Sequence, residues 1–116
     1  FETEIGRHRL VTDHEGGGPT PTDLFLVSLP ACVAFYVAEY CGRAGIDATG
    51  LEVELEYLRE PRRVGEFALV VRLPHADVGA RAEALRRVAE ACYVHESIRS
   101  FGGIPFKLED ASARAA

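Results

Sequence analysis

The sequence predicts an α+β fold with a central buried helix. Residues 51–58, LEVELEYL, alternate between apolar and acidic side chains, as a strand with one buried face does. Residues 24–38 are apolar around nearly the whole helical circumference, which indicates a helix that is covered on every side. The predicted order β-β-α-β-β-α-α-β, with antiparallel pairing between neighbouring strands, is typical of the α+β class.

The N-terminal half contains two strands, a loop and the long helix. Residues 1–13 mix polar and β-branched side chains and predict two short strands around Gly6. Residues 14–23, HEGGGPTPTD, form a loop that ends in residues suited to starting a helix. The helix runs from about Asp23 to Gly42, and Pro30 inside it predicts a kink.

The C-terminal half predicts a hairpin and two further helices. Cys92 lies on the apolar stripe of the first of these helices, which Asp77 opens. The predicted elements after 51–58 are a strand at 67–73, the helix from Asp77, a short helix at 95–101 and a last strand at 104–109.

Length, charge and hydropathy limit the classes of function. The 116 residues predict a single domain over 1–116, and we expect the natural chain to begin upstream because Phe1 is not an initiator residue. A net charge of −5 gives no electrostatic basis for nucleic-acid binding. The apolar run 24–38 is too short for a membrane span, and no export signal opens the chain. The odd number of cysteines, three, then predicts reduced thiols and a cytoplasmic location.

Helix geometry limits which of the three cysteines can pair. Cys32 and Cys41 lie on one helix at about 13 Å from each other and on opposite faces. A disulfide needs α-carbons within about 7 Å, so these two cannot bridge, and Cys41 is interpreted as a packing residue. Cys32 and Cys92 can approach each other if their stripes face the same core, or both are inert buried thiols. A reactive Cys32 needs a nearby arginine to stabilise its thiolate.

A metal site has a weaker basis in the sequence. Cys92 and His95 form one Cys-x-x-His step, which His14 or Cys32 would have to complete. One such step without a second paired motif is a weak zinc signal, so we predict no metal and no cofactor.

Two motifs at a fixed separation make the chain resemble the OsmC/Ohr family of osmotically inducible and organic-hydroperoxide-resistance proteins. The first motif is GGGPTPTDLFLVSLPAC and the second is CYVHESI. The matching positions are Gly18, Pro19, Thr20, Pro21, Asp23, Leu24 and Cys32, followed by Cys92, Val94, His95 and Ser97. The resemblance implies an OsmC-like fold, with antiparallel strands packed around the central helix, and an intertwined homodimer with its active sites at the subunit interface.

The resemblance also implies the chemistry of a thiol-dependent peroxidase that acts in stress responses. The thiolate of Cys32 would attack an organic hydroperoxide and become a sulfenic acid, with which Cys92 would condense to a disulfide. A lipoyl-type or small dithiol would then reduce the disulfide.

The family pairs its reactive cysteine with an arginine from the N-terminal strands and a glutamate at the start of the helix. Asp23 takes the acidic place, although a carboxylate there is also favoured by the helix dipole alone. Arg7 and Arg9 are the candidates for the arginine, and Arg62 and Arg63 of the hairpin turn are substitutes from the other subunit. If no arginine activates the thiol, the alternative function is a divergent OsmC-like dimer that binds a small ligand in the interface cleft.

Overall fold

A computed structural model describes residues 1–105 and 107–109 of the chain. This part of the chain forms two separate two-stranded antiparallel sheets and three α-helices. The elements in chain order are β1 Glu2–Ile5, β2 His8–Val11, α1 Pro21–Ala44, β3 Glu52–Arg59, β4 Val64–Arg72, a 3-10 turn Gly79–Arg81, α2 Ala82–Glu90 and α3 Tyr93–Arg99. The α+β class, both N-terminal strands, the central helix and the second hairpin are therefore confirmed.

Helix α1 begins earlier than predicted because a reciprocal cap fixes its first turn. The Thr20 hydroxyl accepts a hydrogen bond from the Asp23 N–H at 3.1 Å, and the Asp23 carboxylate accepts one from the Thr20 N–H at 3.0 Å. This capping box satisfies two backbone donors at the helix start, so Thr20 is the N-cap and the helix begins at Pro21. At the other end, Gly45 has a φ of 71° in the left-handed region that favours glycine, and it ends the helix.

Helix α1 is buried along one face. The residues on this face recur at helical spacing and are Leu26, Leu29, Val33, Val37 and Cys41. Strand β3 and helices α2 and α3 pack against α1. The other face stays open within one chain, where Val27 is 55% exposed and Phe35 is 67% exposed. A helix expected to be covered on every side is thus covered on one side by its own chain.

The length and apolar composition of α1 also meet the criteria for a membrane-spanning helix. The sequence run 24–38 is too short to cross a bilayer, but the helix of Pro21–Ala44 is long and apolar enough by length and composition. The core helix of a folded protein meets the same two criteria, and α1 supplies five of the seven buried hydrophobic residues in the described part of the chain.

The β3–β4 hairpin shows the predicted alternation. Val53 and Leu55 pack against the core, and the three glutamates between and beside them are exposed. The register shifts between Glu56 and Leu58, opposite Glu66, which has a φ of 53°. A residue in the left-handed region at a register shift is the geometry of a β-bulge, and glycine suits it better than glutamate.

Three predictions for the C-terminal half are wrong. The helix predicted to start at Asp77 starts at Ala82, because Gly79 has a φ of 50° and cannot continue a right-handed helix. That helix ends at Glu90, so Cys92 lies beyond it rather than on its apolar stripe. The last strand is also missing from residues 104, 105 and 107–109, which pair with no other strand of the described chain, while Phe106 lies outside the described residues.

Candidate functional site

The structure brings two of the three cysteines together. Cys32 lies on α1 beside the buried stripe and is half-buried, and Cys92 lies directly before α3 and is fully buried. The side chain of Cys32 packs next to Cys92, close enough to act on the ionisation of the Cys92 thiol. Because both cysteines are free thiols, this contact is a reduced dithiol pair.

The surroundings of Cys92 keep it protonated. Burial raises the pKa of the Cys92 thiol most, and the neighbouring Cys32 side chain raises it further. Backbone N–H groups of His95 and Val94 act in the opposite direction, but the pKa stays above its usual value. The surroundings of Cys92 therefore favour its protonated form.

A local motif holds the Cys92 sulfur in place. Cys92 has extended backbone angles, φ −61° and ψ 144°, and is the N-cap of α3. Its sulfur accepts a hydrogen bond from the His95 N–H at 3.3 Å. The Cys-x-x-His step is therefore the spacing between an N-cap and the third helical residue. The sequence contains this capping signal, but we weighed the step only as a weak metal motif.

The third cysteine lies apart from this pair. Cys41 is fully buried on the core stripe of α1, near the C-terminal end of the helix, and burial raises the pKa of its thiol. Its packing in the apolar core agrees with the role predicted from the sequence.

Asp23 lies at the first turn of α1 and not at the cysteines. The backbone N–H and the hydroxyl of Thr20 lower the pKa of its carboxyl, and the charge of Arg59 lowers it further. Nine helical residues separate Asp23 from Cys32, a distance of about 13 Å along the axis. Within one chain, its carboxylate completes the helix cap.

The predicted arginines fall into two places. Arg9 pairs with Glu4 at 3.1 Å inside the β1–β2 hairpin, and Arg7 lies in the turn of that hairpin. Neither is among the groups that act on the Cys92 thiol. The structure therefore does not join the N-terminal arginines to the dithiol pair within one chain.

The hairpin arginines instead lie at the start of α1 in the same chain. Arg62 and Arg63 line an open cavity of about 650 Å³ together with Thr22 and Arg59. Arg63 is paired with Glu60 at 2.9 Å. Sequence reasoning missed Arg59, because the alternation of β3 does not show that its end lies next to the first turn of α1.

An apolar cavity lies between the elements that carry the two cysteines. Its volume is about 570 Å³, and β4, α2 and α3 form most of its wall. Leu29 of α1, three residues before Cys32, lines one side, and the His95 side chain lines another. The His95 Nδ1 atom is buried without a hydrogen-bond partner and lies 4.0 Å from the Glu96 carboxylate. Neither cysteine lines this cavity, but the Cys92 sulfur accepts a hydrogen bond from the backbone N–H of His95, which does.

Potential metal ligands are not clustered in the described residues. Over 1–105 and 107–109, no group of three or more histidine, cysteine, aspartate or glutamate side chains is arranged to hold a metal ion. Cys92 and His95 thus gain no third ligand there.

Two of the solved structures that resemble this fold are described as stress response or hydroperoxide resistance proteins. One is a protein from Psychrobacter arcticus 273-4 described as an osmotic stress induced and detoxification response protein; it is 23% identical, has a TM-score of 0.67, and the match covers 78% of this chain and 72% of that one. The other is an OsmC-like hydroperoxide resistance protein from Jannaschia sp. CCS1; it is 23% identical, has a TM-score of 0.64, and the match covers 90% of this chain and 75% of that one.

The family model agrees with these folds. A search of curated proteins found no match. The model described as OsmC-like protein matches residues 14–109, which include both cysteine motifs. The chain therefore belongs to the OsmC-like family.

Proposed function

We propose that the protein is a thiol-dependent peroxidase that reduces organic hydroperoxides through Cys32 and Cys92. The observation that carries this proposal is the contact between the two thiols, one half-buried and one fully buried. Two cysteines that only pack in a core do not need to differ in solvent exposure. A two-cysteine peroxidase does, because one thiol must meet the peroxide and the other must wait for the sulfenic acid. The name of the Jannaschia relative, a hydroperoxide resistance protein, supports the substrate class.

Cys32 is the thiol that meets the peroxide. It is half-buried, whereas Cys92 is sealed from solvent and has a raised pKa. The Cys32 thiolate attacks one peroxide oxygen, the O–O bond breaks, and the alkoxide takes up a proton to leave as an alcohol. Cys32 is left as a sulfenic acid.

Cys92 then resolves the sulfenic acid. Its sulfur bonds to the Cys32 sulfur, hydroxide leaves with the Cys92 proton as water, and a disulfide remains. A dithiol of the lipoyl type or a small dithiol reduces this bond by exchange, and the two electrons reach the protein in that step. The cycle needs no metal or cofactor.

We further propose an intertwined homodimer, in which the partner subunit covers the apolar surfaces that are exposed in one chain. The large apolar side chains on the open surface include Val27 and Phe35 of α1 and Ile5 and Leu10 of the N-terminal hairpin. A radius of gyration of 18.6 Å also exceeds the value of about 13 Å expected for a compact domain of this size. In such a dimer, Arg7 or Arg9 of one hairpin meets the Cys32 of the partner and stabilises its thiolate.

The three free thiols suit a reducing compartment, and we propose the cytoplasm.

Peroxide turnover with dihydrolipoamide tests the enzymatic function. The wild type should consume cumene hydroperoxide catalytically, and Cys32→Ser should not. Cys92→Ser should consume about one equivalent and then slow down, because no resolving thiol remains. Cys41→Ala is the matched control, since it changes a buried thiol outside the pair, and it should retain turnover. A Cys32→Ser variant as fast as the wild type would refute the proposal.

One observation favours a second function. Within one chain, Arg9 is paired with Glu4 and Arg63 with Glu60, so two of the candidate arginines are already neutralised by carboxylates. If the dimer supplies no arginine either, the protein is a divergent OsmC-like dimer that binds a small ligand. An inactive wild type that still binds an apolar compound would support this function.

A further inference from the structure

We infer that the open cavity between the β3–β4 turn and the start of α1 binds a phosphate group. Its volume is about 650 Å³, and its wall contains the guanidinium groups of Arg59, Arg62 and Arg63 and the carboxylate of Glu60. The ligand class is inorganic phosphate or a phosphate monoester with a small organic group. The inference is independent of the peroxidase proposal, because it uses neither thiol of the pair.

Positive charge is concentrated at this cavity in a chain that is negative overall. Three of the thirteen basic residues lie within residues 59–63, although the net charge of the chain is −5. The cavity wall carries three guanidinium groups and one carboxylate, a balance of +2. Asp23, which is not part of the wall, offsets some of the Arg59 charge, because that charge acts on its carboxyl. A phosphate monoester, which carries about −1.5 to −2 charges at pH 7, complements this balance.

The turn that carries Arg62 is held in shape before any ligand binds. The Glu60 N–H donates a hydrogen bond to the Arg63 carbonyl at 2.8 Å, which closes the turn through the backbone. The Arg63 Nε atom also lies 2.9 Å from the Glu60 carboxylate, so the same two residues are joined through their side chains. Pro61 between them has a φ fixed by its ring. A site on such a turn loses less conformational freedom when it binds a ligand.

Arg62 has the most available of the three guanidinium groups. Arg63 is paired with Glu60, whereas Arg62 forms no ion pair with any residue among 1–105 and 107–109. The Arg59 guanidinium lies 5.7 Å from the centroid of the Tyr57 ring, a cation–π contact that leaves its N–H groups able to donate. A guanidinium presents paired N–H donors that match two oxygens of one phosphate. Arg62 is therefore the principal phosphate-binding residue, and Arg59 supports it.

The rest of the wall suits a small organic group attached to the phosphate. Pro21, Phe25 and Val64 form its apolar part, and the Thr22 hydroxyl is a further donor. Phe25 is 41% exposed, and one side of its ring packs against Phe67 with centroids 6.1 Å apart. The free side of the ring offers an aromatic surface within the same cavity as the arginines. A phenyl ester would cover this surface, whereas inorganic phosphate would not.

Calorimetry with inorganic phosphate and phenyl phosphate, on the reduced full chain, tests the site. Arg62→Gln should weaken the binding of both compounds at least about tenfold, because charge-assisted hydrogen bonds are lost. Arg87→Gln is the matched control, since it removes the same charge at an exposed position that does not line the cavity. At about 0.1 M salt, where charges more than about 10 Å apart are largely screened, it should change the affinity less than about twofold. No binding to the wild type, or an equal loss in both variants, would overturn the inference.

The two compounds also distinguish the sources of the phosphate. Phenyl phosphate should bind about two- to tenfold more tightly than inorganic phosphate, the effect of one aromatic contact, which would assign the site to esters. Equal affinities would assign it to inorganic phosphate. Phe25→Ala should remove a preference for the ester and keep the affinity for inorganic phosphate, and a preference that survives this change would overturn the placement of the site. Failure of these tests leaves the peroxidase proposal standing, because none of them measures turnover.

Discussion

Cys32 lies next to the Cys92 thiol and acts on its ionisation, although one cysteine lies within α1 and the other directly before α3. Burial and this neighbour raise the pKa of Cys92, and Cys32 has the more accessible sulfur. The pair is therefore asymmetric before any oxidant arrives, which supports the proposed first reaction at Cys32.

This asymmetry predicts the order of alkylation. With limiting iodoacetamide at pH 7, Cys32 should be labelled at least about tenfold faster than Cys92 or Cys41, because the thiolate is the reactive form and both other thiols have raised pKa values. Peptide mass spectrometry of the reduced protein at several times gives the three rates. Faster labelling of Cys92 than of Cys32 would contradict the assignment.

The raised thiol pKa values predict a loss of stability at high pH. The folded protein holds the Cys41 and Cys92 protons more tightly than the unfolded chain, whose thiols titrate near 9.0. This contribution to the free energy of unfolding is complete below pH 9 and is lost as the pH rises through the folded values. Urea unfolding at pH 7, 8.5 and 10 should show the decline, and Cys41→Ala should show a smaller one. Equal declines in both proteins would exclude Cys41 as a cause.

The capping box of α1 predicts the effect of a single hydroxyl. Thr20→Ala should lower the free energy of unfolding by about 1 kcal/mol, because the Asp23 N–H loses its acceptor. Thermal unfolding measures the change. Thr22→Ala, two residues further along the helix, should cost less than about 0.5 kcal/mol, and an equal cost at both positions would argue against the cap.

The same cap predicts an acid effect at Asp23. Thr20 lowers the pKa of this carboxyl, so the stability it contributes is present above pH 3.8 and is lost as the pH falls through its folded value. Asp23→Asn should therefore reduce the difference in stability between pH 5 and pH 2.5. A variant with the full wild-type difference would contradict the role of the carboxylate.

The bulge in the β3–β4 hairpin predicts a stabilising substitution. Glu66 has a φ of 53°, which costs a non-glycine residue about 1 kcal/mol, so Glu66→Gly should raise the free energy of unfolding by up to that amount. Glu52→Gly is the matched control, because Glu52 is an exposed strand glutamate without a positive φ, and glycine there should destabilise. The prediction fails if both substitutions change the stability in the same direction.

The open face of α1 predicts how the subunits associate. Phe35 is 67% exposed in one chain, and a charge there should weaken a dimer that covers this face by at least about tenfold. Analytical ultracentrifugation of Phe35→Glu, with the exposed Arg43→Glu as control, measures the dissociation constant. A monomeric wild type, or a Phe35→Glu dimer as tight as the wild type, would exclude this face as the interface.

Side-chain patterns in the sequence predicted which helices and strands form more accurately than where each of them begins and ends. The apolar circumference of 24–38 and the alternation of 51–58 lead directly to α1 and β3, because both follow from side-chain periodicity. The start of α1 was misplaced by two residues, since the chain offers hydroxyls at both Thr20 and Thr22 and the reciprocal bond with Asp23 decides between them.

The site depended on contacts that periodicity does not contain. Helical spacing placed Cys92 on the stripe of the preceding helix, whereas it caps the next one and reaches Cys32 through the packing of α3 against α1. The cavity beside the pair could not be predicted from the sequence either. It lies between β4, α2 and α3, and side-chain periodicity does not determine how these elements pack together. From the sequence, Cys32 could be paired with Cys92 only through the resemblance of two short motifs to the family. The pattern of apolar residues did not decide the pairing.

The intact mass of the reduced protein after one equivalent of cumene hydroperoxide tests the central claim most directly. If Cys32 and Cys92 form a peroxidatic pair, the wild type should quickly lose about two mass units, the two hydrogens given up in a disulfide, and peptide mapping should find a Cys32–Cys92 bond. Cys32→Ser should show neither change. A wild type that reacts no faster than a free cysteine, or a disulfide that involves Cys41, would contradict the proposed chemistry.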